Sequence, residues 1–344
     1  MVEGHSVHRV AANHTEKLVG KKFIATSPNA RFADGAAAIS GKTFVRIEAV
    51  GKNLFAWFGE GKSEVCVHVH FGMAGQWSVF DGDEEEPATT GTTRLRLVHK
   101  ASGVTSHLSA MTCNHGTRRD LYEVKRAKLG EDPLREDADA ERLWKKVSTS
   151  KKSIGALVMD QSCFCGPGNI YRAEILFKAG VHPDRPGKDL DRAEFDAVWD
   201  HTVSLLRRGY ETGSILTVDA ADAKRYGGIR RYIYNASSCP RCKTRIVSWD
   251  IANRTAYACP ECQPRSPEKG TAAAKKPAAV AKKPAAKKRA ARSTPKKVAK
   301  KPRTSAAAAA KEKVRAGERR NVEHVAELHP SQAARAARAA RRAR

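Results

Sequence analysis

Four cysteines pose the first chemical question. Cys239-Pro-Arg-Cys242 and Cys259-Pro-Glu-Cys262 are two C-x2-C units separated by sixteen residues. Each unit makes a tight knuckle that aims two sulfurs at one ion, and four thiolates suit tetrahedral zinc. The residues between them, at 245–249 and 255–257, suit the two strands of a hairpin. A hairpin this small has little core, so metal binding would supply its folding energy, on the order of 10 kcal/mol. One structural Zn2+ is therefore expected, with free or redox-active thiols as the alternative. It would not be catalytic, because protein fills all four positions. Cys66, Cys113, Cys163 and Cys165 lack ligand spacing and are expected to pack. No organic cofactor is expected.

Two other segments carry charge and glycine in unusual combinations. The chain opens Met1-Val2-Glu3-Gly4, and a central stretch reads Asp160-Gln161, then Gly166-Pro167-Gly168-Asn169-Ile170-Tyr171-Arg172-Ala173-Glu174-Ile175-Leu176. With the cysteine finger ending in Gln263, this order of motifs resembles the formamidopyrimidine-DNA glycosylase/endonuclease VIII family of base-excision repair enzymes. The resemblance runs from Met1 to Gln263 and leaves out only the tail.

The resemblance implies a chemistry that suits the residue types. The family's nucleophile is the α-amine exposed by removal of the initiator methionine, here that of Val2. An α-amine titrates at roughly 7.7–8.0, so a useful fraction is unprotonated near neutral pH. It would attack the sugar C1′ of a damaged nucleotide, expel the base and leave a Schiff base, from which elimination nicks the strand. Glu3 matches the carboxylic acid that protonates the sugar ring oxygen, and for that role its pKa should be raised by its surroundings. Lys52, in Gly51-Lys52-Asn53-Leu54, matches a lysine that holds the phosphate beside the lesion; alone it would read as a solvated lysine at a strand start. Asn169, before a helix, and Arg254, between the finger strands, match phosphate-binding positions, the former with help from neighbouring N–H groups. His70 fits a phosphate-contacting histidine, or an ordinary strand histidine. Met73, in Phe71-Gly72-Met73-Ala74-Gly75, matches the wedge that fills the gap left by an extruded base, which costs a few kcal/mol to flip; a core methionine is the alternative.

The chain also departs from the family pattern. Valine stands where proline is common at position 2. A secondary amine gives an iminium that cannot lose its charge, whereas a primary amine gives an imine that can, so base removal should survive better than strand nicking. The Asp-Pro-Arg-Arg-Phe-type loop that carries two further wedge residues in the formamidopyrimidine branch is absent; residues 106–116 read Ser-His-Leu-Ser-Ala-Met-Thr-Cys-Asn-His-Gly. Residues 230–234 lack that branch's base-capping pattern. Both absences lean toward the endonuclease VIII-like side, whose substrates are mainly oxidised pyrimidines and ring-opened purines. The rivals are a catalytically weak or silent DNA-binding protein of the same fold and an 8-oxoguanine-directed glycosylase.

These residues need elements to position them. Strand-like runs at 43–47, 54–58, 65–70 and 94–98, punctuated by glycine and acidic turns, predict a β-rich catalytic domain over 1–130. The resemblance makes it a β-sandwich with packed helices, in a multidomain α+β chain. A helix is expected at 8–19. The segment 131–225 reads as a helical domain with helices at 137–147, 154–161, 170–178 and 189–207, and the resemblance makes it the helix–two-turn–helix domain. The finger occupies 226–263.

The tail, 264–344, carries 25 Lys+Arg against 5 Asp+Glu and no Phe, Trp or Tyr, so +20 of the chain's net +26 lies there. Its Lys-Lys-Pro-Ala-Ala units resemble a linker-histone tail, which is disordered and grips DNA through counterion release. The expected partner is thus damaged DNA, duplex or single-stranded, bound by a monomer with non-specific help from the tail. No apolar run approaches ~18 residues, so no membrane span is expected. The start lacks a basic and an apolar leader region, so secretion is not expected. A nucleus would be the compartment in a eukaryote, and the cytoplasm or nucleoid otherwise.

Overall fold

The computed structural model describes residues 2–265; the basic tail therefore lies, beyond Arg265, outside the described residues. The chain enters through helix α1 (Gly4–Leu18) and then forms β1 (Ile24–Thr26), α2 (Ala33–Ile39), β2 (Phe44–Val50), β3 (Asn53–Phe58), β4 (Val65–His70), β5 (Gln76–Phe80), β6 (Thr93–Val98), β7 (Thr105–Ser109) and β8 (Thr112–Gly116). The strands make two antiparallel four-stranded sheets, ordered β1-β6-β7-β5 and β2-β3-β4-β8. β6 alternates buried and half-buried residues, as a strand with one covered face must. All six residues of β3 are buried, which explains why its sequence is nearly continuous apolar. Helix α1 lays Val7, Ala11, His14 and Leu18 into the sandwich at helical spacing. Burying each of the larger aliphatic side chains contributes about 1.5–3 kcal/mol.

Helix α1 begins four residues earlier than its apolar spacing suggests. Its N-cap is Glu3, which makes no side-chain cap because its carboxylate is engaged elsewhere. A π-turn at Arg118–Glu123 and helix α3 (Val124–Arg126) lead out of the sandwich.

The helical part comprises α4 (Ala140–Val147), α5 (Ile154–Leu157), α6 (Asn169–Ala179), α7 (Arg192–Thr212) and α8 (Ala220–Arg225). α4 is shorter than its sequence pattern because Asp139 caps it, accepting the N–H groups of Glu141 and Arg142. α5 also ends early, in turns at 158–163. α7 starts at a capping box formed by Asp191 and Glu194 and stops at Gly213, whose φ is 70°. α6 is the hub: every residue from Asn169 to Phe177 is buried.

Last comes a hairpin, β9 (Val247–Ile251) and β10 (Arg254–Ala258), turned at Ala252-Asn253 with φ of 52° and 59°. Separate apolar clusters lie within the sandwich, around α4–α7, and between α6 and the finger. Cys66 and Cys165 are core residues of a small cluster behind β3, and Cys113 belongs to the sandwich core. Among the described residues no helix is long and apolar enough to cross a membrane.

Candidate active site and nucleic-acid interface

The site forms where α1 starts against α6. Gly4 N–H donates to the Gly166 carbonyl at 2.9 Å. A Cβ on Gly4 would lie 2.8 Å from the Gly166 Cα, so the two backbones meet at glycine-only distance. This contact delivers Glu3 to the first turn of α6, where Gly168 N–H donates to its Oε2 at 2.5 Å and Ile170 N–H to its Oε1 at 3.3 Å. A side chain at Gly168 would strike the Glu3 carboxyl carbon at 2.7 Å. Glu3 is fully buried. Burial raises its carboxyl pKa above 4.5, opposed by the Lys52 ammonium and by the two N–H groups. Val2 is half-buried against the sandwich core beside it.

Lys52 stands on the β2–β3 turn. Asp132, itself buried, holds that turn: its Oδ2 accepts Gly51 N–H at 2.6 Å and bonds His8 Nε2 at 2.8 Å. Gly51 has φ +57° and packs against Cys165, whose Sγ a Cβ would meet at 2.2 Å. Burial lowers the Lys52 pKa; the Glu3 carboxylate raises it and the Arg254 guanidinium lowers it further. Lys52 thus acts electrostatically on Glu3 and Arg254 on Lys52, while Val2 adjoins Glu3 in the chain.

Arg254 is exposed, but its backbone is not free to drift. Buried Arg172 donates to the Ile251 carbonyl at 3.2 Å and to the Arg254 carbonyl at 2.9 Å, clamping the hairpin turn onto α6. Asn169 is part of this clamp. Its Nδ2 donates to the Thr255 carbonyl at 3.1 Å and its Oδ1 accepts from Arg172. Of the N–H groups beside Asn169, those of Gly168 and Ile170 hold Glu3. The first turn of α6 thus fixes the Glu3 carboxyl in place.

His70 is half-buried at the end of β4, its Nδ1 accepting Gly72 N–H at 3.2 Å. Burial lowers its pKa, with Lys125 and Lys52 lowering it further. Met73 is 64 % exposed, which rules out a core methionine. Beside it projects a residue that sequence reasoning missed. Met111, on the β7–β8 turn, is 61 % exposed and packs over Gly72, whose Cβ would meet the Met111 Cβ at 2.9 Å. The signal was an unbranched apolar residue in a hairpin turn of otherwise small, polar residues.

Glu174 was also missed. Fully buried in α6, it accepts the N–H groups of Tyr232, Ile233 and Tyr234 at 2.7, 2.9 and 2.8 Å, and the Thr217 hydroxyl. It pins both ends of the 217–234 segment that leads into the finger. Two charges inside a helix buried all round were the available sign, since each must find dedicated partners.

The four finger cysteines gather their sulfurs within 4.8 Å of one another. The Cys242–Cys259, Cys262–Cys242 and Cys239–Cys262 separations are 3.3, 3.7 and 3.8 Å. A tetrahedral ion with metal–sulfur bonds of about 2.3 Å needs edges of about 3.8 Å, so the donor set fits one metal. Gln263 ties the finger back to the helical part: its Nε2 donates to the Val181 carbonyl at 2.9 Å.

Comparison with known proteins agrees with this geometry. The formamidopyrimidine-DNA glycosylase N-terminal domain matches residues 1–109 and the formamidopyrimidine-DNA glycosylase H2TH domain matches residues 129–220. The chain is 35 % identical over 274 residues to "Endonuclease 8 1" of Mycobacterium tuberculosis, covering 76 % of this chain and all of that protein. It is 29 % identical over 243 residues to the formamidopyrimidine-DNA glycosylase of Desulfitobacterium hafniense, covering 67 % of this chain and 85 % of the relative. The fold matches that of the Lactococcus lactis enzyme in complex with abasic-site DNA, with a TM-score of 0.63 at 22 % identity, over 77 % of this chain and all of that one. The chain therefore belongs to the formamidopyrimidine-DNA glycosylase/endonuclease VIII family, whose members are DNA glycosylases with AP lyase activity.

Proposed function

We propose that the protein is a bifunctional glycosylase/lyase of base excision repair that acts through the Val2 nitrogen. The observation that carries this reading is Glu3: a fully buried carboxyl at the start of α6, beside Lys52, with its pKa raised by burial. Once Met1 is removed, the Val2 amine attacks the sugar C1′, forming a C–N bond as the C1′–base bond breaks, and the proton that the nitrogen sheds neutralises the departing base. Glu3 protonates the ring oxygen as the ring opens. Its Oε1, held only at 3.3 Å, is the oxygen suited to carry that proton. Loss of the 2′ proton then drives β-elimination of the 3′ phosphate from the imine. Lys52 and Arg254 hold the phosphate beside the lesion, with His70 and the Asn169–Arg172 clamp supporting the strand. Met73 and Met111 fill the gap in the stack.

The substrates proposed are oxidised pyrimidines and ring-opened purines, on the sequence ground that the base-capping and Arg-Phe loop patterns of the formamidopyrimidine branch are absent. The finger metal proposed is zinc, whose part is to hold the knuckles that carry the hairpin. The tail's proposed part is a non-specific hold on DNA. Base release and strand scission measured on duplexes and single strands carrying an oxidised pyrimidine, a ring-opened purine or 8-oxoguanine test the reading. Fastest release of 8-oxoguanine would reverse the substrate assignment, and binding without release from any lesion would favour a silent DNA-binding protein.

A further inference from the structure

A cavity of about 480 Å3 opens beside His70, between strands β4 and β8 and the π-turn and α3 that leave the sandwich. Met111, Leu121 and Val124 give it apolar lining, and Thr112, Asn114, Lys125 and Lys128 are among its polar lining. Lys125 is half-buried and Lys128 exposed. Their acidic neighbours are committed elsewhere. Glu123 pairs with Arg118 and Asp137 with Arg126 and Arg135. Asp120, which also lines the cavity, accepts the Thr117 hydroxyl at 2.7 Å and the rim keeps two cations against it.

The two rim histidines differ in what they have left to offer. His68 bonds Asn53 Oδ1 through Nε2 at 3.0 Å and stacks on Phe55. His70 uses Nδ1 to accept Gly72 N–H. In a neutral imidazole the other nitrogen then carries the proton, so His70 Nε2–H is a donor without needing a charge. Electrostatically the groups form a continuous row. Arg254 acts on Lys52, Lys52 acts on His70, and Lys125 acts on both His70 and His68. His70, His68 and Lys125 of this row line the cavity.

We propose that this cavity is a further phosphodiester subsite of the DNA strand, seating one backbone phosphate between Lys125 and Lys128, with the attached sugar against Val124. The proposal rests on the DNA-repair reading of the site. Such a contact would hold the strand away from the lesion, fixing its path past the methionine pair without reading bases.

The test uses the full chain and a duplex with a stable abasic analogue, with one methylphosphonate scanned through each strand. In the wild-type protein one position beyond the phosphates flanking the lesion should weaken binding severalfold. In the Lys125→Ala/Lys128→Ala variant that penalty should vanish while the flanking penalties persist, and Lys125→Arg/Lys128→Arg should restore it. Each phosphate neutralised adds about 0.9 to the salt slope, so affinity lost between 50 and 200 mM salt should be about 3.5-fold smaller in the alanine variant. An unchanged pattern of penalties in that variant would overturn the subsite. Preference of the wild-type protein for the abasic over the undamaged duplex is a separate readout. Its absence would count against the repair reading and not against the subsite.

Discussion

Replacing Glu3 by Gln removes a proton while keeping almost the same shape. The carboxyl sits between two N–H donors, Gly168 at 2.5 Å and Ile170 at 3.3 Å. A glutamine keeps its carbonyl oxygen for the shorter contact and turns its amide toward the longer one, so a single weak hydrogen bond is lost. An unsatisfied buried group costs about 1–3 kcal/mol, and the length of the lost bond puts the cost at the low end. The variant should therefore fold. General acid catalysis contributes ~10²–10⁴-fold, and that is the expected loss in single-turnover release of an intact damaged base. Nicking of a preformed abasic site should fall by about tenfold or less, because an abasic sugar is a hemiacetal that opens in water without an acid placed on its ring oxygen.

The same substitution has a pH signature. Burial raises the Glu3 pKa above 4.5, so the native state disfavours the ionised form. Stability contributed by the neutral acid is complete below pH ~4.5 and is lost as pH rises through the raised native pKa. Glutamine has no such loss, so the stability gap between wild type and variant should narrow as pH rises through that window. Single-turnover base release and abasic nicking, read side by side with thermal unfolding across pH, decide the matter. Equal losses in the two reactions would refute the assignment of Glu3 as the acid of base displacement.

Three further outcomes follow from the same geometry. Met73→Ala combined with Met111→Ala should slow base release from duplex DNA at least tenfold and spare cleavage of single-stranded abasic DNA, which has no stack to fill; equal effects would remove both from the wedge. Cys259→Ser should lose the metal and weaken DNA binding, since the knuckle adjoins β10, which carries Arg254; metal analysis with a binding isotherm checks it, and full affinity without metal would count against the role. Deleting 264–344 should leave lesion ranking and turnover intact but flatten the dependence of log K on log salt for undamaged duplex, with an unaltered slope as the contrary result.

Much of this arrangement was legible in the residues. The cysteine spacing placed four sulfurs around one point, and Gly166-Pro167-Gly168 marked the break before helix α6. Strand β3 announced itself because burial on all sides demands continuous apolar sequence. What escaped reading were partnerships set by the tertiary fold. Nothing local to Asn169 says that its amide joins Arg172 in clamping the hairpin turn, or that the N–H groups on either side hold Glu3. Helix α1 was read too short because its first turn is fixed by contact with Gly166 and not by an apolar stripe. Asp132 sits in unremarkable sequence and Glu174 shows only as a charge in an otherwise apolar helix; their roles arise from the backbone N–H groups that distant segments present to them.

The central claim is that the nucleophile is the α-amine of Val2. Borohydride reduction during turnover converts the Schiff base into a stable amine, and mass mapping of the trapped protein–DNA adduct locates the bond. The account predicts a chain that begins at Val2, with the DNA remnant on the Val2 nitrogen. An adduct on Lys52, the other amine beside Glu3, or on any other side chain would contradict it.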